Sequence, residues 1–347
     1  MAPTRMGPAR PVGIVEVARL ARVSPSTASR ALRGGAVSAD RRERVLRAAE
    51  ELRYVPLPAA VRLSSGRGHT VGIVLPTVSR WFFVEVVLGA ARTLRAAGYD
   101  LLVHDVPEDD GEALPDITRL RGKVDALVLV ASAGTDGDLS AWRELGVPLV
   151  TVGGREHALG RVGIDDRAGA RRATRHLLDL GHTDVRMIAG AVDAPFGSAA
   201  SRARLAGFSD ELQRAGMSAE AAVVAGHPWG LEGGAAAMTE LLDSGTVPTA
   251  VFAESDEIAF GALQVLRRRG LKVPEDVSVV GFDDHEMAAA VDLTTVAQPV
   301  GEQGVVAAGM VLDLLGTERG GRLAGEVLLP TRLVVRRSTG PPRGVSP

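Results

Sequence analysis

Two side chains in the second half of the chain have the chemistry needed to recognise a small polar molecule. Arg204 lies early in a predicted helix and carries a permanent cation that can hold a carboxylate or a pair of sugar hydroxyls. Asp283 follows the apolar run VSVVGF, and ligands of open parallel sheets bind at the carboxyl ends of strands. Its carboxylate can accept two hydroxyl hydrogens from a sugar or an N–H from a base. The alternative for Arg204 is a surface salt bridge.

The chain lacks the signatures of common catalytic and metal sites. It contains no G-x-S-x-G, H-E-x-x-H or G-x-x-x-x-G-K-[ST] motif, and its seven histidines show no metal-ligand spacing. Asp165–Asp166 and Asp283–Asp284 are adjacent pairs, which would face opposite sides of a strand and so do not form catalytic dyads. The chain has no cysteine, which excludes disulfides and thiolate ligands. The sequence therefore predicts neither an enzyme nor a cofactor.

A different kind of site is predicted near the N-terminus. Ser24 is followed by Pro25, a combination that favours a helix start because Ser24 can cap free N–H groups and proline suits the first helical position. The helix would run from Pro25 to about Arg33, and Gly34–Gly35 would end it. The small polar and basic side chains that it could bring close to a groove are Ser26, Thr27, Ser29 and Arg30.

Two further helices flank this one. Before it, apolar residues recur at helical spacing at Ile14, Val17, Ala18 and Ala21. After it, a helix capped by Ser38 would run to about Arg53, with a buried stripe formed by Val45, Leu46, Ala49 and Leu52. Two short helices joined by a tight turn form a helix-turn-helix, whose second helix enters the major groove of DNA. A generic three-helix cap is the alternative.

Charge separates this head from the rest of the chain. Residues 1–68 contain 13 arginines, no lysine and five acidic residues, a net charge of +8, whereas the whole chain has a net charge of −2. A basic head on an acidic body indicates a polyanionic partner for the head, although a solvated charged face is the simpler alternative.

Proline and glycine mark the connections. Pro56 and Pro58 would stop the third helix, Ala59 to Leu63 could form one helical turn, and the segment SSGRG up to Gly68 is typical of a flexible linker. A plain interdomain tether is the alternative for residues 56–68. Residues 1–10 and 340–347 are rich in proline and glycine and are predicted to be disordered.

The body alternates predicted strands and helices, which favours parallel sheets in a doubly wound α/β arrangement. Their number indicates two lobes with a cleft between them. The predicted strands are residues 70–75, 100–104, 125–130, 148–152, 160–164, 184–190, 249–253 and 277–281. No run of about 18 apolar residues predicts a membrane span, and no secretory signal is visible, so a cytoplasmic protein is expected.

The head resembles the DNA-binding domain of the lac/gal repressor family. Its blocks VAxLAxVSxxTxSRAL, VSxxxRERVLxAAEEL and YVP stand at the family's spacing. The resemblance implies that Ser24, Pro25, Ser26, Thr27 and Ser29 lie in or beside the groove and that Arg30 reads a base edge or braces the helix. It also implies a hinge helix in residues 56–68, with Leu63 wedged between base steps of the minor groove and Ala60 beside it. Gly13 departs from the family, which has Thr or Ser there.

The body resembles the same family through the blocks HLLDLGHTDVRMIAG, RARLAGFSDELQRAG, PTAVFAESDEIAFGAL and GLKVPEDVSVVGFDD. The resemblance implies a fold like that of type I periplasmic sugar-binding proteins. Arg204 and Asp283 match the family's ligand-binding arginine and aspartate. Four further positions match effector-binding positions: Phe83, Trp229, Ser255 and Asp256. Core packing is the alternative for Phe83 and Trp229. Ser255 stands in place of an asparagine, which shortens its reach, and Gly153 stands where many relatives have aspartate.

These observations predict a helix-turn-helix domain at 11–55, a hinge at 56–68 and an effector-binding and dimerisation body at 69–339. Lobe 1 would comprise about 69–164 and 293–326, and lobe 2 about 165–292 and 327–339, with crossovers near Ile164, Leu293 and Glu326. We expect a regulator, a repressor by preference, that binds a pseudo-palindromic double-stranded operator as a homodimer and responds to a small ligand, a sugar by preference. A sugar- or nucleoside-binding protein without regulatory DNA binding and an α/β enzyme are the alternatives.

Overall fold

The structure is a computed structural model that describes residues 12–32, 34–54, 68–106, 117–131, 140–154, 160–190, 198–219, 222–316 and 325–343. The chain divides into two compact units, residues 1–68 and residues 69–347. The predicted tail 1–10 and residues 56–67 of the predicted hinge, with Ala60 and Leu63, lie outside the described residues.

The head contains three short helices, α1 (Ile14–Leu20), α2 (Pro25–Leu32) and α3 (Ala39–Glu51). Small and β-branched side chains form its core, which lets the short helices pack closely. The fully buried members are Val17, Ala18, Ala21, Ala28, Ala31, Val45 and Ala48. The predicted helix-turn-helix order is therefore confirmed.

The predicted buried stripe of α3 was wrong at one position. Leu46 is 50% exposed, whereas Ala48, absent from the prediction, is 3% exposed. Val45 and Ala48 lie three residues apart and so share a helix face, while Leu46 is turned about 100° away from Val45. Ser38 stands at the N-cap of α3, but its side chain makes no capping hydrogen bond.

The first sheet of the body, with the helices packed on it, forms lobe 1. Its six strands are all parallel, in the order β11-β5-β4-β3-β1-β2. The strands are β1 (Thr70–Leu75), β2 (Asp100–Asp105), β3 (Ala126–Val130), β4 (Leu149–Val152), β5 (Gly160–Ile164) and β11 (Gly325–Leu329). The helices are α4 (Trp81–Ala96), the short α5 (Ser140–Arg143) and α10 (Val300–Gly316), and a 3-10 turn spans Ile117–Arg119.

The second sheet forms lobe 2. Its order is β12-β10-β9-β8-β6-β7, and only the edge strand β12 is antiparallel to its neighbour. The strands are β6 (Val185–Gly190), β7 (Val223–His227), β8 (Ala250–Ala253), β9 (Ser278–Asp283), β10 (Thr294–Ala297) and β12 (Arg332–Val334). The helices are α6 (Asp166–Asp179), α7 (Ser198–Arg214), α8 (Leu231–Asp243) and α9 (Asp256–Arg268), with a 3-10 turn at Glu286–Ala288.

Two of the three predicted crossovers were misplaced. The first follows β5 at Ile164, as expected. The second was predicted near Leu293, but β10 pairs with β9 and stays in lobe 2, so the chain crosses at Gln298–Pro299. The third was predicted near Glu326, but β11 pairs with β5 through Leu329, so the crossing comes just before β12. In both cases a short parallel strand pairing moves the crossover towards the C-terminus: β10 with β9 extends lobe 2, and β11 with β5 extends lobe 1.

The C-terminal tail was also mispredicted in part. Gly340 donates its backbone N–H to the Ser278 hydroxyl at 3.0 Å, and its carbonyl faces His182 Nε2 at 2.9 Å. Arg343 forms an ion pair with Asp276 and donates to the Glu275 carbonyl at 3.2 Å. Residues 340–343 are therefore fastened to lobe 2 rather than disordered, while 344–347 lie outside the described residues.

Close helix packing holds lobe 1 together. Helices α4 and α10 meet at Gly89 and Gly304, where an added Cβ would come within 2.0 Å of the Gly301 carbonyl oxygen and 2.1 Å of the Val86 carbonyl oxygen. Only glycine allows this approach. The paired helices fix the start of α4, which carries Phe83 towards lobe 2.

Candidate functional site

Helix α2 presents the predicted DNA-contacting side chains at the surface of the head. The Ser24 hydroxyl accepts a hydrogen bond from the Thr27 backbone N–H at 3.2 Å, which caps the helix as predicted. It also lies 2.9 Å from the hydroxyls of both Ser26 and Thr27. Pro25, Ser26 and Arg30 are exposed. This arrangement leaves a small, hydroxyl-rich helix start that can approach a phosphate backbone.

The rest of this face agrees with a surface role. Thr27 and Ser29 are half-buried, and the apolar positions Ala28 and Ala31 are buried in the head's core. That alternation follows from the helical period, which turns one face to the core and the other to solvent. Contact of these residues with DNA, like the roles of Ala60 and Leu63, stays a prediction.

A cavity of the body lies in the cleft between the two lobes. Its lobe 1 side is largely apolar, formed by Phe82, Phe83, Ala131, Val152, Gly153 and Gly154. Its lobe 2 side is largely polar, formed by Asp166, Arg204, Trp229, Glu257 and Asp283, with Ala199 and Ala200 between them. A concave site with a few convergent polar groups on an apolar background is typical of a small-molecule site.

Arg204 is the centre of the polar side. Its Nε donates to Asp166 Oδ1 at 2.8 Å, and its Nη1 donates to the Glu254 backbone carbonyl at 2.6 Å. Nη1 also lies 3.7 Å from Asp283 Oδ1, and the guanidinium carbon lies 3.7 Å from the centre of the Phe282 ring. Arg204 as a whole is 5% exposed, and its guanidinium is held on several sides, so it is already oriented without a ligand.

Asp283 ends β9 where the carboxyl-end rule placed it. Its backbone φ is 121°, a conformation that residues other than glycine rarely adopt. Gln298 Nε2 donates to Asp283 Oδ1 at 2.6 Å, and Gln303 Nε2 donates to Gln298 Oε1 at 2.8 Å, so a buried hydrogen-bond chain runs from lobe 2 to lobe 1. Burial raises the pKa of Asp283 to about 7, although Arg204 and Gln298 favour its charged form.

Asp256, predicted to contact the ligand, does not line the cleft. It has no exposed surface, its Oδ1 accepts from the Thr295 hydroxyl at 2.6 Å, and its Oδ2 accepts from the His285 backbone N–H at 2.8 Å. Burial and the nearby Asp283 raise its pKa well above the usual value. Asp256 fastens β10 and the loop after β9 to the start of α9, which is a structural role.

Ser255 lines the cleft, but its hydroxyl forms the N-terminal cap of helix α9. The oxygen accepts from the Ile258 backbone N–H at 3.3 Å and so caps α9. Asp284 forms an ion pair with Arg336 at 2.7 Å and has φ 59°, a backbone conformation typical of a turn.

Both predicted aromatic residues lie at the cleft, one on each lobe. Phe83 is 6% exposed, lies in the lobe 1 core and contacts Phe82 edge to face at a centroid distance of 5.5 Å. Trp229 precedes α8, and the guanidinium of Arg80 lies 5.6 Å from the centre of its ring. The two rings supply flat apolar surfaces of the kind that sugar rings stack on.

Several cleft residues were not predicted, and Asp166 is the most important. It follows strand β5 just as Asp283 ends β9, so the carboxyl-end rule could have found it. The adjacent acids have separate roles: Asp165 Oδ1 caps α6 by accepting from the Ala168 backbone N–H at 2.8 Å, and Asp166 holds Arg204. Five other lining residues carry no local signal in the sequence: Arg80, Phe82, Glu257, Gln298 and Gln303.

Comparison with known proteins agrees with this arrangement. Residues 13–56 match the family described as "Bacterial regulatory proteins, lacI family", and residues 174–339 match the "Periplasmic binding protein-like domain". The chain is 34% identical over 331 residues to the HTH-type transcriptional repressor CytR of Escherichia coli K12, covering 93% of this chain and 95% of that protein. The chain belongs to the lacI family of bacterial regulatory proteins. It is therefore a DNA-binding transcriptional regulator with a periplasmic-binding-protein-like ligand domain, not an enzyme.

Solved structures of family members share the fold. A complex of the transcriptional regulator CelR with cellobiose has a TM-score of 0.68 and 34% identity, covering 95% of this chain and all of that one. A lac repressor dimer bound to operator and the anti-inducer ONPF has a TM-score of 0.81 and 26% identity, with the same coverage. Within the described parts of this regulator, no helix is long and apolar enough to cross a membrane.

Proposed function

We propose that this regulator is a homodimeric repressor whose affinity for its operator falls when a neutral sugar binds between the lobes of the body. The observation that carries the proposal is the preoriented cluster of Arg204, Asp166 and Asp283, which faces the aromatic ring of Phe83 across the cleft. Fixed hydrogen-bonding groups opposite a flat apolar surface suit a ring that carries several hydroxyls.

The charge of the cleft favours a neutral ligand over a phosphorylated one. Three acidic residues line it, Asp166, Glu257 and Asp283, against two arginines, Arg80 and Arg204. Arg204 already donates to Asp166 and to the Glu254 carbonyl, so its charge is largely compensated. A phosphate would meet an excess of negative charge at short range, whereas sugar hydroxyls can donate to the carboxylates. The CelR complex, whose ligand is cellobiose, supports the same class.

DNA binding rests on the head. Its net charge of +8 over residues 1–68 would release counterions from phosphates, and α2 would enter the major groove with Ser26, Thr27 and Arg30 exposed or partly exposed. The hinge role of Ala60 and Leu63 belongs to the same proposal. The operator-bound dimer of the related lac repressor supports two heads on a pseudo-palindrome.

Exposed apolar side chains support a dimer. Val84 and Leu88 on α4 are 37% and 47% exposed, and on lobe 2 Leu231, Met287 and Val291 are 44–49% exposed. The lobe 2 residues line one shallow groove with Phe260 and Leu271. Apolar surface of this kind is typical of protein interfaces, and a second copy would bury it.

Ligand and operator are coupled through the angle between the lobes. At the cleft, the Trp81 backbone N–H of lobe 1 lies 3.5 Å from Glu257 Oε1 of lobe 2, and the Trp81 ring lies 4.8 Å from that of His285. A ligand that contacts both lobes shifts the balance between arrangements of these contacts. Coupling of about 1–3 kcal/mol is typical and acts in both directions, so operator DNA would weaken ligand binding equally.

The deciding experiment has two stages. Full-length protein is used to select fragments from sheared genomic DNA of its source, with residues 69–347 alone as the control for the separate head unit. Enrichment of a few pseudo-palindromic sites by the full chain alone is the expected result. Operator affinity is then measured by fluorescence anisotropy with cellobiose, D-ribose and D-ribose 5-phosphate, and a neutral sugar should lower it while the phosphate does not. Sugar binding without DNA enrichment would instead indicate a binding protein without a regulatory head.

A further inference from the structure

Two buried amide side chains connect Asp283 of lobe 2 to lobe 1. Gln298 Nε2 donates to Asp283 Oδ1 at 2.6 Å, and Gln303 Nε2 donates to Gln298 Oε1 at 2.8 Å. Gln298 is 7% exposed and Gln303 is 1% exposed, and both line the cleft. Because an amide has a donor end and an acceptor end, this chain of hydrogen bonds has a direction, from lobe 1 towards the carboxylate.

The backbone holds both amides in place. Gln298 stands at the crossover between the lobes, and its backbone N–H donates to the Asp283 carbonyl at 3.4 Å. Gln303 lies in the first turn of α10, where its backbone N–H donates to the Pro299 carbonyl at 3.1 Å. The next residue, Gly304, packs so closely on α4 that an added Cβ would come within 2.1 Å of a backbone oxygen of that helix. With both backbones fixed, the direction of the chain depends on how each amide group is turned.

The direction of the chain matters for the charge of Asp283. Within the described residues, Gln298 is the side chain that donates a hydrogen bond to it, since Arg204 Nη1 lies 3.7 Å away and donates to the Glu254 carbonyl instead. An ionised carboxylate can only accept, so it needs the NH2 group of Gln298. If that amide were turned round, its oxygen would face the carboxylate and favour the protonated form of Asp283.

The charged groups near Asp283 nearly balance one another. They are Arg204 on α7, Asp166 at the start of α6, Asp256 and Glu257 on α9, and the adjacent Asp284, which is paired with Arg336. Burial raises the pKa of Asp283 to about 7, while the arginine and the donated amide hydrogen bond favour its charged form. Near neutral pH a single hydrogen bond can therefore decide whether Asp283 is charged, and Gln303 controls which end of the Gln298 amide supplies that bond.

We propose that Gln303 is a positioning residue for ligand recognition: it holds the Gln298 amide with its NH2 group towards Asp283 and so keeps Asp283 a hydrogen-bond acceptor for the ligand. The inference rests on the proposed function, because it assumes that a ligand hydroxyl donates to Asp283. The hydrogen-bond chain itself belongs to the ligand-free protein and can be tested without a ligand. Through this chain, a residue of lobe 1 sets the chemistry of the recognition group on lobe 2.

Matched methionine variants of the full-length protein provide the ligand-free experiment. Methionine is close to glutamine in length and volume but has no amide, so it removes the donor with little change in packing. Urea denaturation between pH 5 and pH 9 is measured for the wild type, Gln303→Met, Gln298→Met and the double variant. Gln213→Met, at an exposed position on α7, is the control.

Loss of the amide at position 303 should raise the pKa of Asp283 by about one unit, because the Gln298 amide is then free to turn. Relative to the wild type, the free energy of unfolding of Gln303→Met should decrease further between about pH 7 and pH 8 and run parallel at lower and higher pH. Gln298→Met should behave in the same way, and the double variant should show no additional shift, because Gln303 acts through Gln298. Gln213→Met should follow the wild type.

Two outcomes of the urea experiment would overturn the proposal. If the curve of Gln303→Met runs parallel to that of the wild type at every pH, the role of Gln303 is purely structural. If Gln303→Met shifts the pH dependence further in the Gln298→Met background, Gln303 acts on Asp283 by another route than the amide chain.

Titration calorimetry with cellobiose and D-ribose, at several pH values, tests the consequence for the ligand. For a sugar that binds, the affinity of Gln303→Met should be about three- to tenfold below that of the wild type at pH 7, and the difference should nearly vanish at pH 9, where Asp283 is ionised in both proteins. A loss of affinity that is the same at every pH would indicate a direct contact between Gln303 and the ligand and would overturn the positioning role. If neither sugar binds the wild type, the proposed ligand class is rejected, while the urea experiment still decides the role of Gln303.

Discussion

The two walls of the cleft differ in their chemistry. Lobe 1 offers mainly rings and backbone, with Phe82, Phe83 and Gly153 at the surface. Lobe 2 offers Arg204 and Asp283 in a network that is already hydrogen-bonded without a ligand. A prearranged polar wall loses little conformational entropy on binding, so it can discriminate between ligands. An apolar wall stabilises any ring that displaces water from it, whatever the ring's substituents. Ligand specificity should therefore depend on lobe 2, and lobe 1 should contribute nonselective apolar contact.

The largest effect that would test this division is expected from Arg204→Ala. Removal of the guanidinium leaves Asp166 and Asp283 without their counter-charge inside the protein, and breaking a buried ion pair typically costs about 3–5 kcal/mol. We expect ligand affinity to fall at least about 100-fold and the free energy of unfolding to fall by a few kcal/mol, measured by calorimetry and urea denaturation.

Arg202→Ala is the matched control, since Arg202 is exposed two residues away on the same helix. It should leave both quantities nearly unchanged. A normal ligand response in Arg204→Ala would show that the recognition wall has been placed wrongly.

Asp283→Asn should change how stability depends on pH. Burial raises the pKa of Asp283 to about 7 in the folded state, so folding takes up a proton that the unfolded chain releases near pH 4. The free energy of unfolding contributed by this group therefore decreases as pH rises from about 4 to about 7 and is constant above that. In Asp283→Asn the free energy of unfolding should therefore fall less steeply with pH. The accumulated difference from the wild type should reach a few kcal/mol by pH 8, as measured by urea denaturation at several pH values.

The same variant tests the recognition wall. Sugar hydroxyls donate best to an ionised carboxylate, so wild-type affinity should rise between about pH 6 and 8, while that of Asp283→Asn should stay flat. Asp292→Asn, at an exposed turn with φ 54°, should behave as the wild type. Parallel pH profiles for wild type and Asp283→Asn would argue against Asp283 as the titrating group.

Phe83→Leu should have a smaller and less selective effect. The ring lies against the cleft and in the lobe 1 core, so its loss should weaken all sugars that bind by a similar factor, about three- to tenfold, with no change in pH dependence. Leu94→Val, a core substitution on the same helix away from the cleft, controls for stability. A loss confined to one sugar would place specificity in lobe 1 and break the proposed division.

The smallest effect on ligand binding is expected from Ser255→Ala. Its hydroxyl caps α9, so the substitution should lower the free energy of unfolding by about 1 kcal/mol. Ligand affinity should change less than about twofold, since the capping bond already uses the hydroxyl. If the loss in binding free energy exceeded the loss in the free energy of unfolding, Ser255 would contact the ligand directly, as the sequence resemblance implied.

The carboxyl-end rule shows how far sequence reasoning extended into the site. It placed Asp283 at the cleft because an apolar strand precedes it, and the same rule applied after GRVGI would have found Asp166. Asp165 and Asp166 were instead treated as a pair on one strand. In the structure the strand ends at Ile164, so a helix cap and a cleft-lining residue can be neighbours.

Asp256 shows where sequence reasoning about the site failed. Its sequence position matched a ligand-binding position, yet Thr295 and the His285 backbone take up both of its oxygens. These partners are 39 and 29 residues away along the chain, so no local pattern could reveal that the carboxylate was already occupied.

The sequence by itself determined the helix-turn-helix order, the start of α2 at Pro25, the two-lobed α/β plan and the family, because capping residues, hydrophobic period and long motif blocks are local signals. Only the tertiary structure decided the crossover positions, the fastening of residues 340–343, the hydrogen-bond chain from Asp283 through Gln298 to Gln303, and the approach of Glu254 and Trp229 to Gly190. These features depend on which distant strands pair and which buried groups then meet, and a one-dimensional pattern does not contain that information.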